Sequence, residues 1–164
     1  MAGHIARGGE ARLKIIFLDF DGVLNNFAFL RAGGAGIHAL DPAAIGRLNT
    51  LVLRSGAKVV VSSTWRLKFS LDELRKILLK HGFQGEIIDR TPHLPAAFAM
   101  GDLLEARSHE IQTWLRNALE EIESYVVLDD LYLEGCAAFL VQTDFELGLL
   151  DQHVEDALSI LGDL

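Results

Sequence analysis

The chain has 164 residues and a mass of 18.0 kDa, enough for one domain with a single sizeable core. Half of the residues are hydrophobic, 23% are charged and the mean hydropathy is +0.25, which excludes a disordered, collagen-like or low-complexity chain. A net charge of −8 repels polyanions at long range and argues against a generic nucleic-acid coat, while the single cysteine, Cys136, excludes an internal disulfide and fits a reducing cytoplasm.

Met1–Arg12 is polar and lacks the apolar centre of a signal peptide, so it reads as a leader ahead of a core domain over 13–164. Lys14 to Leu18 is a continuous apolar run that stops at Asp19–Phe20–Asp21–Gly22. Runs of this length suit strands buried on both faces of a parallel sheet. Asn25 to His38 is a long irregular segment, with a glycine-rich centre at Gly33–Gly36. Asp41–Pro42 then opens a helical pattern through Ile45, Leu48, Leu51 and Val52. Lys58 to Val61 is a second strand, ended by Ser62–Ser63–Thr64. Ser70 or Asp72 starts another helix through Leu74, Ile77 and Leu78, with Gly82 as its stop.

Glu86 to Asp89 is a weaker third strand, followed by a loop over Thr91 to Asp102. Ser108 precedes a third helix carrying Ile111, Trp114, Leu115 and Leu119. Tyr125 to Leu128 is a fourth strand, ended by Asp129–Asp130, and Ala137 to Val141 a fifth. Leu150 to Leu161 closes the chain as a helix. Strands alternating with helices predict an α/β fold: a doubly wound parallel sheet of about five strands, with helices on both faces. No apolar run approaches the roughly 20 residues of a membrane span, so no membrane partner is expected.

In open parallel sheets ligands bind beyond the carboxyl ends of the strands. Three such ends carry polar residues: Asp19 and Asp21, then Ser62 to Thr64, then Asp129 and Asp130. Four carboxylates gathered at one edge need a cation, and an oxygen-seeking one such as Mg²⁺ fits. The six histidines show no zinc-ligand spacing, and Gly33–Gly36 is no nucleotide fingerprint.

Phe17–Leu18–Asp19–Phe20–Asp21–Gly22–Val23–Leu24–Asn25 resembles the first motif of the haloacid dehalogenase superfamily, mostly phosphohydrolases. Val59 to Ser62 resembles the second motif, and Val126 to Asp130 the adjacent-aspartate form of the fourth. Arg107, 22 residues before Asp129, is the best match to the third, a Lys or Arg at a helix start. A finer set is similar to a small capless subfamily found also as the phosphatase-like module of multidomain ("Swiss army knife") RNA repair proteins. That set is Ser62–Ser63–Thr64–Trp65–Arg66, Thr91–Pro92, Arg107 to Ile111 with Trp114–Leu115, Leu128–Asp129–Asp130, Thr143–Asp144 and Gly148–Leu149.

The resemblance implies a Mg²⁺-dependent phosphomonoesterase with Asp19 as nucleophile and Asp21 as general acid and base. Asp19, the Asp21 carbonyl and Asp129 or Asp130 would hold the cation, with Asp130 favoured as the direct ligand. Ser62, or Ser63 in its place, would donate to phosphate, Arg107 would neutralise its charge, and the backbone at Phe20 and Gly22 would approach it. Arg66 is either a second phosphate contact or a solvated arginine paired with a carboxylate, and Arg31 and Arg90 are weaker candidates for that contact. The intervals between motifs leave no room for a cap domain, so an open site and a phosphorylated partner such as a nucleic-acid end are expected. The alternatives are a small-molecule phosphatase, a phosphate-accepting signalling domain and a non-catalytic phosphate-binding module.

Overall fold

The computed structural model describes residues 12–34, 36, 38–95 and 103–162. Most of the leader Met1–Arg12 and the second half of the Thr91–Asp102 loop therefore lie outside the described residues. Among these, five strands form one parallel sheet: β1 (Leu13–Leu18), β2 (Lys58–Val61), β3 (Ile87–Arg90), β4 (Ile122–Asp129) and β5 (Leu140–Gln142). Their order in space is β3-β2-β1-β4-β5. The helices are α1 (Phe27–Arg31), α2 (Pro42–Ser55), α3 (Leu71–Lys80), α4 (Leu103–Asn117) and α5 (Asp151–Leu161), with 3-10 helices at Thr64–Leu67 and Glu134–Phe139. Among the described residues no helix is long and apolar enough to cross a membrane.

The apolar runs become strands because helices cover both sides of the sheet. Ile15, Ile16, Phe17 and Leu18 are all fully buried. Each such side chain contributes about 1.5–3 kcal/mol of burial. Alternation along β1 sends Ile16 and Leu18 into a core with Leu48 and Leu51 of α2, Leu74 and Leu78 of α3 and Leu158 of α5. Ile15 and Phe17 face the opposite core, with Val60, Val127 and Ile111 of α4. Trp114, expected in the core, packs edge-on against Phe17 at 5.4 Å and donates its indole N–H to Asp89 at 2.8 Å.

The start signals act as expected. Asp41 accepts the Ala43 N–H ahead of Pro42, and Ser70 exchanges hydrogen bonds with Glu73 in a capping box.

Three expectations need correction. The run Ala137 to Val141 is a strand only from Leu140; before it, Glu134–Phe139 is a 3-10 helix. Leu133, Cys136 and Phe139 recur every third residue, the 3-10 period. Leu133 and Cys136 enter the α4-side core, and Phe139 lies 4.3 Å from the Tyr125 ring. The irregular segment after Asn25 contains α1, because the Asn26 side chain accepts the Phe29 N–H at 2.8 Å and caps a short turn. The third long helix opens at Leu103 rather than after Ser108, which places Arg107 in its second turn, and it ends at Asn117, so Leu119 lies beyond it, exposed.

Candidate active site

Asp19 arrives beside its partners because parallel register carries it there. Its N–H donates to the Leu128 carbonyl at 3.0 Å, the Ser62 N–H donates to the Leu18 carbonyl at 3.0 Å, and the Thr143 N–H donates to the Asp129 carbonyl at 2.9 Å. Ser62, Asp19 and Asp129 thus stand side by side at the carboxyl edge. The edge is also the switch point of the winding, since β1 is followed outward by β2 and β3 on one side and by β4 and β5 on the other.

One oxygen atom from each of Asp19, Asp129 and Asp130 lies within 4.8 Å of the others. The Arg107 Nη1 donates to Asp19 Oδ2 at 3.2 Å and to Asp129 Oδ2 at 2.8 Å, so a single nitrogen bridges the two buried carboxylates. The second Asp129 oxygen accepts the Leu131 N–H at 2.9 Å. Burial, and then the Asp129 charge, holds the Asp19 carboxyl well above its usual range, with Arg107 pulling the other way. Burial likewise raises Asp129 against the pull of Arg107. Burial opposes the charge of Arg107, but Asp19 and Asp129 outweigh it and its pKa is raised. One guanidinium thus faces three carboxylates that supply only oxygen donors, a set suited to a hard divalent cation.

The turn after β1 is tight. The Phe20 carbonyl accepts N–H groups from Val23, Leu24 and Asn25, its N–H donates to Asp19 Oδ1 at 2.9 Å, and its side chain is fully buried, so Phe20 shapes the turn behind Asp19. Gly22 has φ +82°, and a Cβ there would lie 2.6 Å from Asp130 Cγ. Glycine is required twice over, by the backbone region and by the carboxylate lying against it. Thr143 Oγ1 donates to the Gly22 carbonyl at 2.7 Å and buttresses the turn from the end of β5.

The two serines differ. Ser63 Oγ accepts the Trp65 N–H at 3.2 Å and caps the 3-10 helix. Ser62 is fully buried, and its hydroxyl has no partner. Of the two serines at this edge, Ser62 is thus the one whose hydroxyl lacks a partner, and Ser63 is the one that caps the fold.

Arg66 makes the carboxylate pairing of its second reading, but buried rather than solvated. Its guanidinium is buried, paired with Glu110, and donates to the carbonyls of Ser62, Ser63, Thr91 and Pro92. All its donors are spent on the protein and it is shut off from solvent; it ties the end of β2 to α4. Burial lowers its pKa, partly offset by Glu110. Arg31 pairs with Glu146 on the surface, and Arg90 donates to the carbonyls of Arg66 and Phe69. Arg66 lies close enough to Arg107 and Arg90 for their charges to lower its pKa, but each of these groups is bonded to the protein.

Asp21 also stands apart from the acidic cluster. Its Oδ1 accepts from Asn25 Nδ2 at 2.8 Å and its Oδ2 from Trp65 Nε1 at 3.1 Å. Asn25 Oδ1 in turn accepts the Gly22 N–H at 3.0 Å. In the sequence Trp65 reads as a ring to stack on a base or sugar or as partly buried packing; its bond to Asp21 was not visible there. The partners of Asn25 follow from its position four residues after Asp21, inside the motif-like run.

A parallel α/β sheet with an acidic, arginine-bridged cluster at its switch point has the architecture of a haloacid dehalogenase-type domain, a class of phosphatases and other hydrolases. Residues 15–154 match the model of one family within it, the HAD domain in Swiss Army Knife RNA repair proteins, and the chain belongs to that family. No curated protein and no solved structure matches the chain.

Proposed function

We propose that the protein is a Mg²⁺-dependent phosphomonoesterase working through an aspartyl-phosphate. The observation that carries this is the Asp19–Arg107–Asp129 bridge, with Asp130 beside it, at the switch point of the sheet. Asp19 attacks phosphorus in line, the phosphorus–oxygen bond to the leaving group breaks, and Asp21 gives its proton to the departing oxygen. In the second step Asp21 takes a proton from water, whose oxygen displaces the Asp19 carboxylate and releases inorganic phosphate. Asp19 must be ionised to attack although burial disfavours its charge, and Arg107 is the resident group that opposes that penalty. The Ser62 hydroxyl meets the phosphate oxygens, since the Phe20 and Gly22 N–H groups are already given to Asp19 Oδ1 and Asn25 Oδ1.

The carboxylates of Asp19, Asp129 and Asp130, with the Asp21 carbonyl, would hold Mg²⁺. When bound, it supplies positive charge against the cluster and the phosphate. For substrate we propose a polynucleotide terminal phosphate in an open, capless site. The description of the family as a domain of RNA repair proteins supports this reading. The internal pairing of Arg31, Arg66 and Arg107 favours a second reading, a small-molecule phosphatase, because it removes the basic patch a polyanion would use.

The experiment is phosphate release from p-nitrophenyl phosphate, with and without Mg²⁺, by wild type and Asp19→Asn. Mg²⁺-dependent release lost in the variant is expected, and release that survives Asp19→Asn refutes the mechanism. Phosphorylated oligonucleotides against free nucleotides then separate the two substrate classes.

A further inference from the structure

The general acid opens onto a cleft of its own. Asn25 and Trp65 hold one carboxylate oxygen of Asp21 each, at 2.8 Å and 3.1 Å. The carboxyl group lines a hollow of about 360 Å³ together with Asn25, His38, Trp65, Lys68 and Phe69; Asp19, Asp129 and Asp130 are not among its walls. The hollow and the acidic cluster are linked along the chain, since Asp19 belongs to the cluster and Asp21, two residues on, lines the hollow.

Three of its lining residues, His38, Trp65 and Phe69, carry rings, beside Leu30, Ala39 and Thr64. The His38 ring meets Phe69 edge-on at 4.8 Å and Trp65 at 5.4 Å, and the Trp65 and Phe69 rings are 6.0 Å apart. Phe20 braces Trp65 from the core side at 4.9 Å. Trp65 and Phe69 are half-buried, and Lys68 stands exposed at the rim.

An acid that protonates a leaving oxygen must come within about 2.6–3.2 Å of it. Whatever is attached beyond that oxygen then extends into the space that the acid faces. Three rings lining that space favour a flat, polarisable neighbour over an alkyl chain or a hydrated polyol.

We propose that this cleft is the leaving-group subsite, that it takes phosphate esters with a flat ring next to the leaving oxygen, and that Trp65 is the residue that positions Asp21 toward it. The proposal rests on the phosphohydrolase reading of Asp19 and Asp21. Trp65 acts in two ways: its ring forms a wall, and its indole N–H orients the acid.

The test compares three esters, benzyl, n-propyl and p-nitrophenyl phosphate, on the full chain with Mg²⁺. The first two release alkoxides that need a proton; the third releases a phenolate that leaves without one. Wild type should favour benzyl over n-propyl phosphate by about tenfold in kcat/KM, the effect of stacking one ring on an aromatic wall. Phe69→Leu, which removes a ring and keeps apolar volume, should cut that preference to below about threefold through KM. Trp65→Phe, which keeps a ring and deletes the N–H, should lower kcat on benzyl phosphate about tenfold more than on p-nitrophenyl phosphate. Thermal melts establish that both variants are folded. Equal use of benzyl and n-propyl phosphate by an active wild type overturns the proposal and leaves the phosphohydrolase reading standing. So do variants that slow all three esters alike. Absence of Asp19-dependent turnover on every ester removes that reading, and this proposal with it.

Discussion

Replacing Arg107 by Met removes the cation that bridges Asp19 and Asp129 while keeping most of the side-chain volume. The three side chains are 7%, 5% and 0% exposed, so water does not take over the role of the guanidinium. Breaking a buried pair by removing one partner costs about 3–5 kcal/mol. At this chain length that lowers the melting temperature by roughly 6–20 °C. The loss depends on pH, with a definite sign. Both carboxyls already titrate above their ordinary range, through burial first, and losing Arg107 moves them further up. A carboxyl raised in the folded state keeps its proton after the unfolded chain has released its own, so stability falls as pH rises past the unfolded value near 3.8. The Arg107→Met penalty should be small at pH 4 and grow as pH rises from there. Arg107→Lys should cost no more than about 2 kcal/mol, because one nitrogen makes both contacts and a single ammonium group can occupy its place. Urea unfolding at pH 4, 6 and 8 with a chelator present measures all three quantities. A Met variant as stable as wild type at pH 8, or a loss independent of pH, would refute the electrostatic account of the cluster.

Ser62→Ala should raise stability by up to about 1 kcal/mol, since the buried hydroxyl it deletes has no partner, while lowering phosphatase turnover about 10²-fold. A parallel fall in stability and activity in the same melts and assays would make Ser62 structural. Gly22→Ala should cost at least about 1–2 kcal/mol from the left-handed backbone alone, and more because its Cβ meets Asp130. Its urea midpoint would have to match wild type for that close approach to be wrong. Wild type in chelator should lose stability from pH 4 to pH 8, following the raised Asp19 and Asp129, and Mg²⁺ should restore it increasingly toward pH 8. Melting curves insensitive to both pH and Mg²⁺ would argue that the cluster binds no cation.

Much of the fold was legible because its signals are local. Lys14–Leu18, Lys58–Val61 and Tyr125–Leu128 read as strands since burial on both faces leaves an unbroken apolar run. Asp41–Pro42 and Ser70 read as helix starts since a cap needs only its own turn. Asp19, Ser62 and Asp129 could be placed at one edge because parallel strands of a wound sheet all end there. Where the chain deviated, the local signal was ambiguous. Ala137–Val141 is apolar in either state, and only contact with the α4-side core selects a 3-10 helix for Glu134–Phe139.

The sequence by itself determined the donor chemistry of the site and its order along the chain: carboxylates after β1 and β4, a hydroxyl after β2 and a cation 22 residues before Asp129. Only the tertiary structure decided which partners those groups take. It withdrew Arg66 into a pair with Glu110, left Ser62 open while committing Ser63, set one Arg107 nitrogen between two acids, and turned Asp21 toward Trp65, 44 residues away. The physical reason is range. Caps, turns and strand periodicity act within a few residues, whereas a buried polar side chain must find its partners among residues that folding brings from elsewhere in the chain.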